Sequence, residues 1–307
     1  MNWTTIICRE PVWEKEPSLA SWASSCKKIH TLVLPEKTPV EEVLNATQIL
    51  PEEVLLVTES REDWEKASRR QIAVLPYRDP NNQPPATFPA AFPGTATPKA
   101  ATPEVTFPGA WMVAEGLDDV DEEFFLQVYL REHGLPWTPI TTERCYLREL
   151  TMEDLDALFA LYEGDGITDY LEPLYPREEE EAYQRGYIDN IYRYYGYGMW
   201  LVCKKTSGEI IGRAGLEHRD YGNGAELEMG YLIAAGEQRK GYATEVCRAL
   251  IAFAEEMPEF ERINCLIHRD NKVSLHLMDK LGFTFLEERI EGEKPMLRYV
   301  KNLRTAT

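Results

Sequence analysis

The residues best arranged for chemistry lie in the segment Ala234–Glu256, AAGEQRKGYATEVCRALIAFAEE. An apolar strand ends there, Gln238-Arg239-Lys240-Gly241-Tyr242-Ala243 forms a loop, and an amphipathic run follows. Apolar side chains recur at 243, 246, 247, 250, 251 and 254, the spacing of one buried helix face. The first turn of such a helix has backbone N–H groups without intrahelical partners and the positive end of the helix dipole. Gly241 and Ala243 let a ligand approach the backbone, and Arg239 and Lys240 add positive charge. The chemistry this predicts is binding of an anion, a phosphate or diphosphate above all.

The elements that must hold this loop are spread along the second half of the chain. Arg144–Leu150 alternates as a strand, and Thr151 with Asp154 three residues later opens a helix in a capping-box arrangement. A helix over Arg177–Arg193 and strands over 199–205, 210–219, 226–234 and 261–269 follow, with Thr206-Ser207-Gly208 and Gly222-Asn223-Gly224 as turns. Asn271–Leu281 reads as a helix ended by Gly282, and two closing strands finish the chain. The first half reads as a small Rossmann-like α/β layer. Its strands are Ile29–Leu34, the fully apolar Val54–Thr58, Ile72–Leu75 and Ala110–Ala114, with helices at Val40–Thr47, Glu62–Gln71 and through Glu122–Glu132. Nine of the 20 prolines fall between Pro76 and Gly109, which makes that stretch a long extended loop. Prolines in 133–143 mark a boundary, so two domains are expected, 1–137 and 138–307, within an α/β two-domain fold class.

Composition limits the partners. The 307 residues hold 33 Lys+Arg against 52 Asp+Glu, a net charge of −19. Up to Trp137 there are 12 basic and 21 acidic residues, and 21 and 31 after it, so the acid excess is not confined to a tail. That field disfavours nucleic acid. No apolar run approaches the ~18 residues of a spanning helix, and the N-terminus lacks the pattern of a signal peptide. Six cysteines with no Cys-x-x-Cys pair predict a cytoplasmic chain with no structural zinc and no disulfide framework.

The Gln-x-x-Gly-x-Ala loop between strand and helix, with Asn271-x-x-Ser274 and Leu281-Gly282-Phe283 further on, resembles the GNAT N-acetyltransferases over residues ~140–303. The GYATE and LMDKLGF strings look most like the ribosomal-protein-type members. The resemblance implies a mixed α+β sheet whose two central strands splay apart, acetyl-CoA as cosubstrate, and direct transfer of the acetyl group to a primary amine: a protein N-terminus, a lysine or a small amine. The backbone of Tyr231, Leu232 and Ile233 would bind pantetheine. Gln238, Arg239, Lys240, Gly241, Tyr242, Ala243 and Thr244 would form the diphosphate loop. Asn271 would reach the pantetheine arm or cap its own helix, and Ser274 would touch the cofactor or pack as a small residue. Many relatives place a tyrosine, the acid for the leaving thiolate, where this chain has Met278. Water, Ser274 or another tyrosine could replace it. Glu228, on the same strand face as Glu226 and Gly230, is the first candidate for the base, and Glu217 the second. The acceptor surface is expected from Asp169, Tyr170, Glu172, Tyr175, Glu178–Glu181, Tyr192, Tyr194, Tyr195, Tyr197 and Trp200, a mixture of acid and aromatic groups suited to a cationic amine. A non-catalytic CoA-binding or scaffold protein is the rival reading.

In the first half, VLLVTESREDWEKASRRQIAVLPY resembles the last sheet motif of haloacid-dehalogenase-like (HAD) hydrolases, within residues ~28–135. Thr58-Glu59-Ser60 stands where that family has Gly-Asp-Ser, and Asp63 matches its later aspartate. The Asp-x-Asp nucleophile motif is absent, so the resemblance implies a degenerate, non-catalytic accessory domain.

Overall fold

A computed structural model describes residues 5–26, 28–80, 107, 110, 112–118, 120–222, 225–292 and 294–304. The chain divides into two compact units, Met1–Leu135 and Pro136–Thr307.

The first unit contains β1 (Thr5–Arg9), α1 (Glu10–Lys15), α2 (Pro17–Ser25), β2 (His30–Leu34), α3 (Val40–Thr47), β3 (Val54–Thr58), α4 (Arg61–Ser68), β4 (Ala73–Arg78), β5 (Ala114–Glu115) and α5 (Glu122–Glu132). The strands form a parallel sheet in the order β2-β1-β3-β4-β5. Every residue of β1 and β3 is buried, because helices cover both faces: Ile6, Leu55 and Leu75 face one apolar cluster, Ile7, Leu56 and Val74 the other. The sequence reading lacked β1, the strand beside β3, and both helices after it. Thr5-Ile6-Ile7-Cys8-Arg9 is short and runs straight into charge. Pro11 and Pro17, which look like breakers, sit in first helical turns, where a proline's missing N–H costs nothing. The strand expected at Ala110–Ala114 is reduced to the two residues of β5. Most of the expected Pro-rich loop, residues 81–106, lies outside the described residues, as do Asn223 and Gly224 of the expected turn.

The second unit contains β6 (Ile140–Thr141), β7 (Cys145–Arg148), α6 (Leu155–Tyr162), α7 (Arg177–Tyr187), α8 (Arg193–Tyr195), β8 (Met199–Lys204), β9 (Ile210–Asp220), β10 (Ala225–Ile233), α9 (Tyr242–Glu255), β11 (Arg262–His268), α10 (Lys272–Leu281), β12 (Thr284–Glu291) and β13 (Lys294–Asn302). Its eight strands run in the order β12-β13-β11-β10-β9-β8-β7-β6. Neighbours are antiparallel except β10 and β11, which need the α9 crossover to run parallel. Asp154 reaches back to the Thr151 N–H at 2.8 Å, as the capping pattern predicts, and also binds Arg148 at 2.6 Å. The expected helix 177–193 is interrupted: a π turn over Ile188–Tyr192 follows α7, and Tyr187 and Tyr192 are both buried. Gly215 is required by sterics, since a Cβ there would lie 1.9 Å from the Gly198 carbonyl oxygen. Among the described residues no helix is long and apolar enough to cross a membrane.

Candidate active site

β10 and β11 pair at only two rungs, Leu227 with Ile263 and Glu228 with Asn264. β10 then continues to Ile233 and β11 to His268 without pairing, so the two central strands part. A buried polar network holds the last rung. The Glu226 carboxylate accepts from Arg262 at 2.5 Å, Asn264 at 2.7 Å and Arg298 at 2.7 Å. Asn264 also donates to Leu227 O at 3.0 Å and accepts from Arg298 Nε at 2.9 Å. Strands β10, β11 and β13 are thereby tied together where the gap begins. Glu226 is committed to this network, accepting from two arginines and an asparagine.

The candidate base lies on that last rung. Glu228 and Glu217 stand opposite each other on β10 and β9. Burial pushes the Glu228 carboxyl above the usual carboxylate range, against the opposing pull of Arg219 at 3.3 Å and the Tyr221 hydroxyl that donates to it. Arg298 stacks on the Tyr221 ring with its guanidinium carbon 3.7 Å from the centroid, and Arg289 lies at 5.1 Å. Glu217 accepts from the Tyr187 hydroxyl at 3.1 Å, and that hydroxyl in turn accepts from Met199 N at 2.8 Å.

At the far end of β10 the loop leads into α9. Gly241, at φ 86°, is the residue before the first helical turn, and Arg239 also adopts a positive φ of 60°. Arg144 clasps the loop. Its Nη1 donates to Lys240 O at 3.0 Å, its Nε to Glu245 at 2.6 Å, and its guanidinium lies 4.3 Å from the Tyr242 ring centroid. Burial alone would raise Glu245, but hydrogen bonds from Thr142 and from Arg144 outweigh it and hold the carboxyl below its usual range. Lys240 is paired with Glu237 at 3.1 Å, so part of the positive charge expected of the loop is already compensated. Gln238 donates to Ile233 O at 3.0 Å and so braces the end of β10.

Leu232 and Ile233 bury their side chains. Contrary to expectation, the backbone groups of Leu232 turn to β9, as do those of Ala234, whose N–H donates to Ile211 O at 2.8 Å, so of the three residues Tyr231 and Ile233 face the gap. The Tyr231 hydroxyl is buried without a regular hydrogen-bond partner. Asn271 takes the capping alternative, accepting from Ser274 N at 3.1 Å. Met278 is wholly buried and has no proton to give.

The expected acceptor surface needs correction. Trp200 is fully buried against Trp137 and Phe253; Tyr192 and Tyr197 are buried as well. Tyr192 spends its hydroxyl on Leu150 N and Met199 O. Glu180 is buried and accepts from Tyr175 N and Gln184. Tyr195 stacks on His218, Tyr170 on His268, and Glu172 pairs with Lys294. A ladder of rings remains. Tyr175 is 55 % exposed and Tyr183 45 %, with centroids 5.7 Å apart, and Tyr183 leads at 6.0 Å to Tyr187, the tyrosine on Glu217. Sequence reasoning missed Arg144, Arg219, Tyr221, Asn264 and Arg298. Arg144 precedes β7, Arg219 and Tyr221 stand at the end of β9, Asn264 is on β11 and Arg298 on β13, so no local spacing groups them.

Residues 144–284 match the family model described as "Acetyltransferase (GNAT) domain". The second unit carries a GNAT acetyltransferase domain. It is the domain of an acetyltransferase enzyme, with the mixed sheet of that fold. The chain is 26% identical over 163 residues to "Uncharacterized protein YkkB" of Bacillus subtilis, covering 53% of this chain and 94% of that protein. It is 27% identical over 149 residues to "Uncharacterized N-acetyltransferase YoaA" of the same organism, covering 47% and 81%. A solved putative GNAT-family acetyltransferase from Bordetella pertussis aligns at 23% identity and a TM-score of 0.46, covering 53% of this chain and 98% of that one. In the acetyltransferase domain, the parted strands, the α9 cradle and the Glu228–Glu217 pair therefore form the candidate active site.

Proposed function

We propose that the protein transfers the acetyl group of acetyl-CoA directly to a primary amine while both are bound. The observation that carries this reading is the parting of β10 and β11 immediately after Glu228 and Asn264, beside the N-terminus of α9. The β10 edge away from β9 would offer backbone groups of Tyr231 and Ile233 to pantetheine amides as a neighbouring strand would, while Leu232 between them turns its own to β9. The backbone N–H groups of Arg239, Lys240, Gly241, Tyr242, Ala243 and Thr244, with the positive end of α9, suit a diphosphate. Gly241, in a conformation that side chains rarely adopt, keeps that approach open.

The bound amine must lose a proton. For a lysine-type amine of pKa ~10.4, reaching the neutral form at pH 7 costs about 4–5 kcal/mol. Glu228 is assigned as the base, because a carboxyl raised by burial holds a proton at a pH nearer the working range. Glu217 is the second candidate. A backbone N–H near Tyr231 would polarise the thioester carbonyl. The exposed rings of Tyr175, just before α7, and Tyr183, on α7 with Glu178, Glu179 and Glu181, favour a cationic acceptor: a protein N-terminus, a lysine or a small amine.

The first unit is assigned as a non-catalytic accessory domain, a degenerate relative of HAD-like hydrolases. Arg9 ends β1 at the sheet's switch point, where open α/β sheets bind ligands. Its guanidinium is held by Asp63 at 2.7 and 2.8 Å and by the carbonyls of Pro35 and Thr38. Asp63, the aspartate of the resemblance, is thus tied up rather than free for chemistry. All six cysteines are free thiols, which fits the cytoplasm proposed for the chain.

Incubating the full-length protein with acetyl-CoA and a panel of peptides, lysine, polyamines and simple amines, read by mass spectrometry, tests the proposal. Acetylation of at least one amine, faster than without protein, is expected. A protein that binds no CoA and acetylates none of them would refute it.

A further inference from the structure

A carboxylate that takes a proton from a bound amine needs one oxygen held and the other open, and the partners of Glu228 divide in that way. The Tyr221 hydroxyl donates to Oε2, and Arg219 Nε approaches the same oxygen at 3.3 Å. Among the described residues Oε1 accepts no hydrogen bond. The Glu228 side chain is only 15 % exposed, so little water competes with these two donors. Tyr221 follows the last residue of β9 and belongs to neither strand of that hairpin, so sheet pairing does not fix it. Arg298 of β13 does: its guanidinium carbon lies 3.7 Å from the Tyr221 ring centroid. That guanidinium is itself immobilised, with Nε donating to Asn264, Nη2 to Glu226 and Nη1 to Glu287. The network that ties the strands together where they part is thus continued, through one aromatic ring, to the candidate base.

We propose that Tyr221 is the positioning residue of the base: seated on the Arg298 guanidinium, its hydroxyl fixes Glu228 Oε2 and so presents Oε1 to the bound amine. A proton passes from the ammonium nitrogen to Oε1, and the N–H electron pair stays on nitrogen as the lone pair that bonds to the acetyl carbon. The carbon–sulfur bond breaks with its pair on sulfur. Glu228 returns its proton to solvent, and the thiolate takes one from solvent. Burial, Glu217 and Glu291 of β12 push the Glu228 carboxyl up, and Arg219 and Tyr221 pull it down. Cys265 of β11 is pushed up by its own burial and stays a neutral thiol. Removing the Tyr221 hydroxyl takes away a donor to the charged form, so the carboxyl should rise further. The inference rests on the acetyl-CoA reading above and on Glu228 as its base.

The test is Tyr221→Phe in the full-length protein, which keeps the ring on Arg298 and removes the hydroxyl alone. Its first arm needs no acceptor: the protein is labelled with 13C at the glutamate side-chain carboxyl and titrated by NMR, with Glu228→Gln identifying the Glu228 signal. The midpoint of that signal should rise by about one unit in Tyr221→Phe, or tenfold in ionisation. The second arm uses an amine that the wild type acetylates. The acid limb of kcat/KM should move up by the same unit, and kcat at pH 8 should fall about tenfold with KM for acetyl-CoA unchanged. That deficit should shrink toward pH 9.5, where the amine needs no base. An unmoved Glu228 midpoint in a folded Tyr221→Phe protein overturns the assignment. So does a midpoint that moves while the acid limb stays, since Tyr221 would then tune a carboxyl that takes no proton from the amine. A wild type that acetylates no amine overturns the acetyl-transfer reading itself, and this inference with it, whatever the titration shows.

Discussion

Glu228 shows how one residue is tuned by opposed forces. Burial raises it, and Arg219 and Tyr221 partly restrain it. A carboxyl raised in the folded state binds its proton more tightly there than in the unfolded chain. Its contribution to stability is present below the unfolded pKa of about 4.3 and is lost as pH rises through the higher folded value. Glu228→Gln cannot ionise and keeps an acceptor for Tyr221, so its melting temperature should gain on wild type between pH 4 and pH 7. A constant offset across that range would contradict the burial argument. As a base, Glu228 should also matter kinetically: Glu228→Gln should lower kcat/KM by about 10²–10⁴-fold at pH 7. That deficit should shrink toward pH 9.5, where the amine deprotonates unaided. Equal losses at both pH values in a folded variant would transfer the role to Glu217.

At the scale of elements, the diphosphate cradle is a helix start held from outside. Gly241 tolerates its φ of 86° because it has no side chain, so any replacement there is strained. Gly241→Asn and Gly241→Asp should be comparably strained, yet only Asp places a negative charge beside the bound diphosphate. Calorimetry should find acetyl-CoA binding at least tenfold weaker for Asp than for Asn, about 1.4 kcal/mol; equal affinities would remove the diphosphate from this loop. The strand end of the gap is held by charge instead. Arg298 and Glu226 have side chains 4 % and 6 % exposed, and truncating one member of such a buried pair strands the other. Arg298→Met should destabilise the domain by about 3–5 kcal/mol in urea unfolding. A loss below 1 kcal/mol would mean that Arg262 and Asn264 suffice to hold Glu226.

For the whole molecule, the division near Pro136 predicts that residues 136–307 form a folded acetyltransferase domain by themselves, because that unit has its own eight-stranded sheet and buried core. The fragment should unfold cooperatively and bind CoA as the full chain does; an insoluble fragment from a soluble parent would place part of its core in the first unit. Much of this domain is legible along the chain, because its informative features are local. A turn, a strand–loop–helix such as 226–256 and a cap such as Asn271 depend on neighbours a few residues apart, so residue type and spacing alone determine them. The same locality makes the apolar β3 readable, whereas β1, a short strand that runs straight into charge, owes its place to pairing with β2 and β3 on either side. Other features required the tertiary structure. Whether a tyrosine is surface or core was decided by the π turn after α7 and by packing, which buried Tyr192 and Tyr197 and left Tyr175 and Tyr183 exposed. Which partners each carboxylate meets was decided by sheet register: it gives Glu226 to Arg298 and Arg262, while Glu228, two residues on, faces Glu217 and pairs with Arg219. Burial and ion pairing depend on groups distant along the chain, and no local spacing encodes which of them will meet.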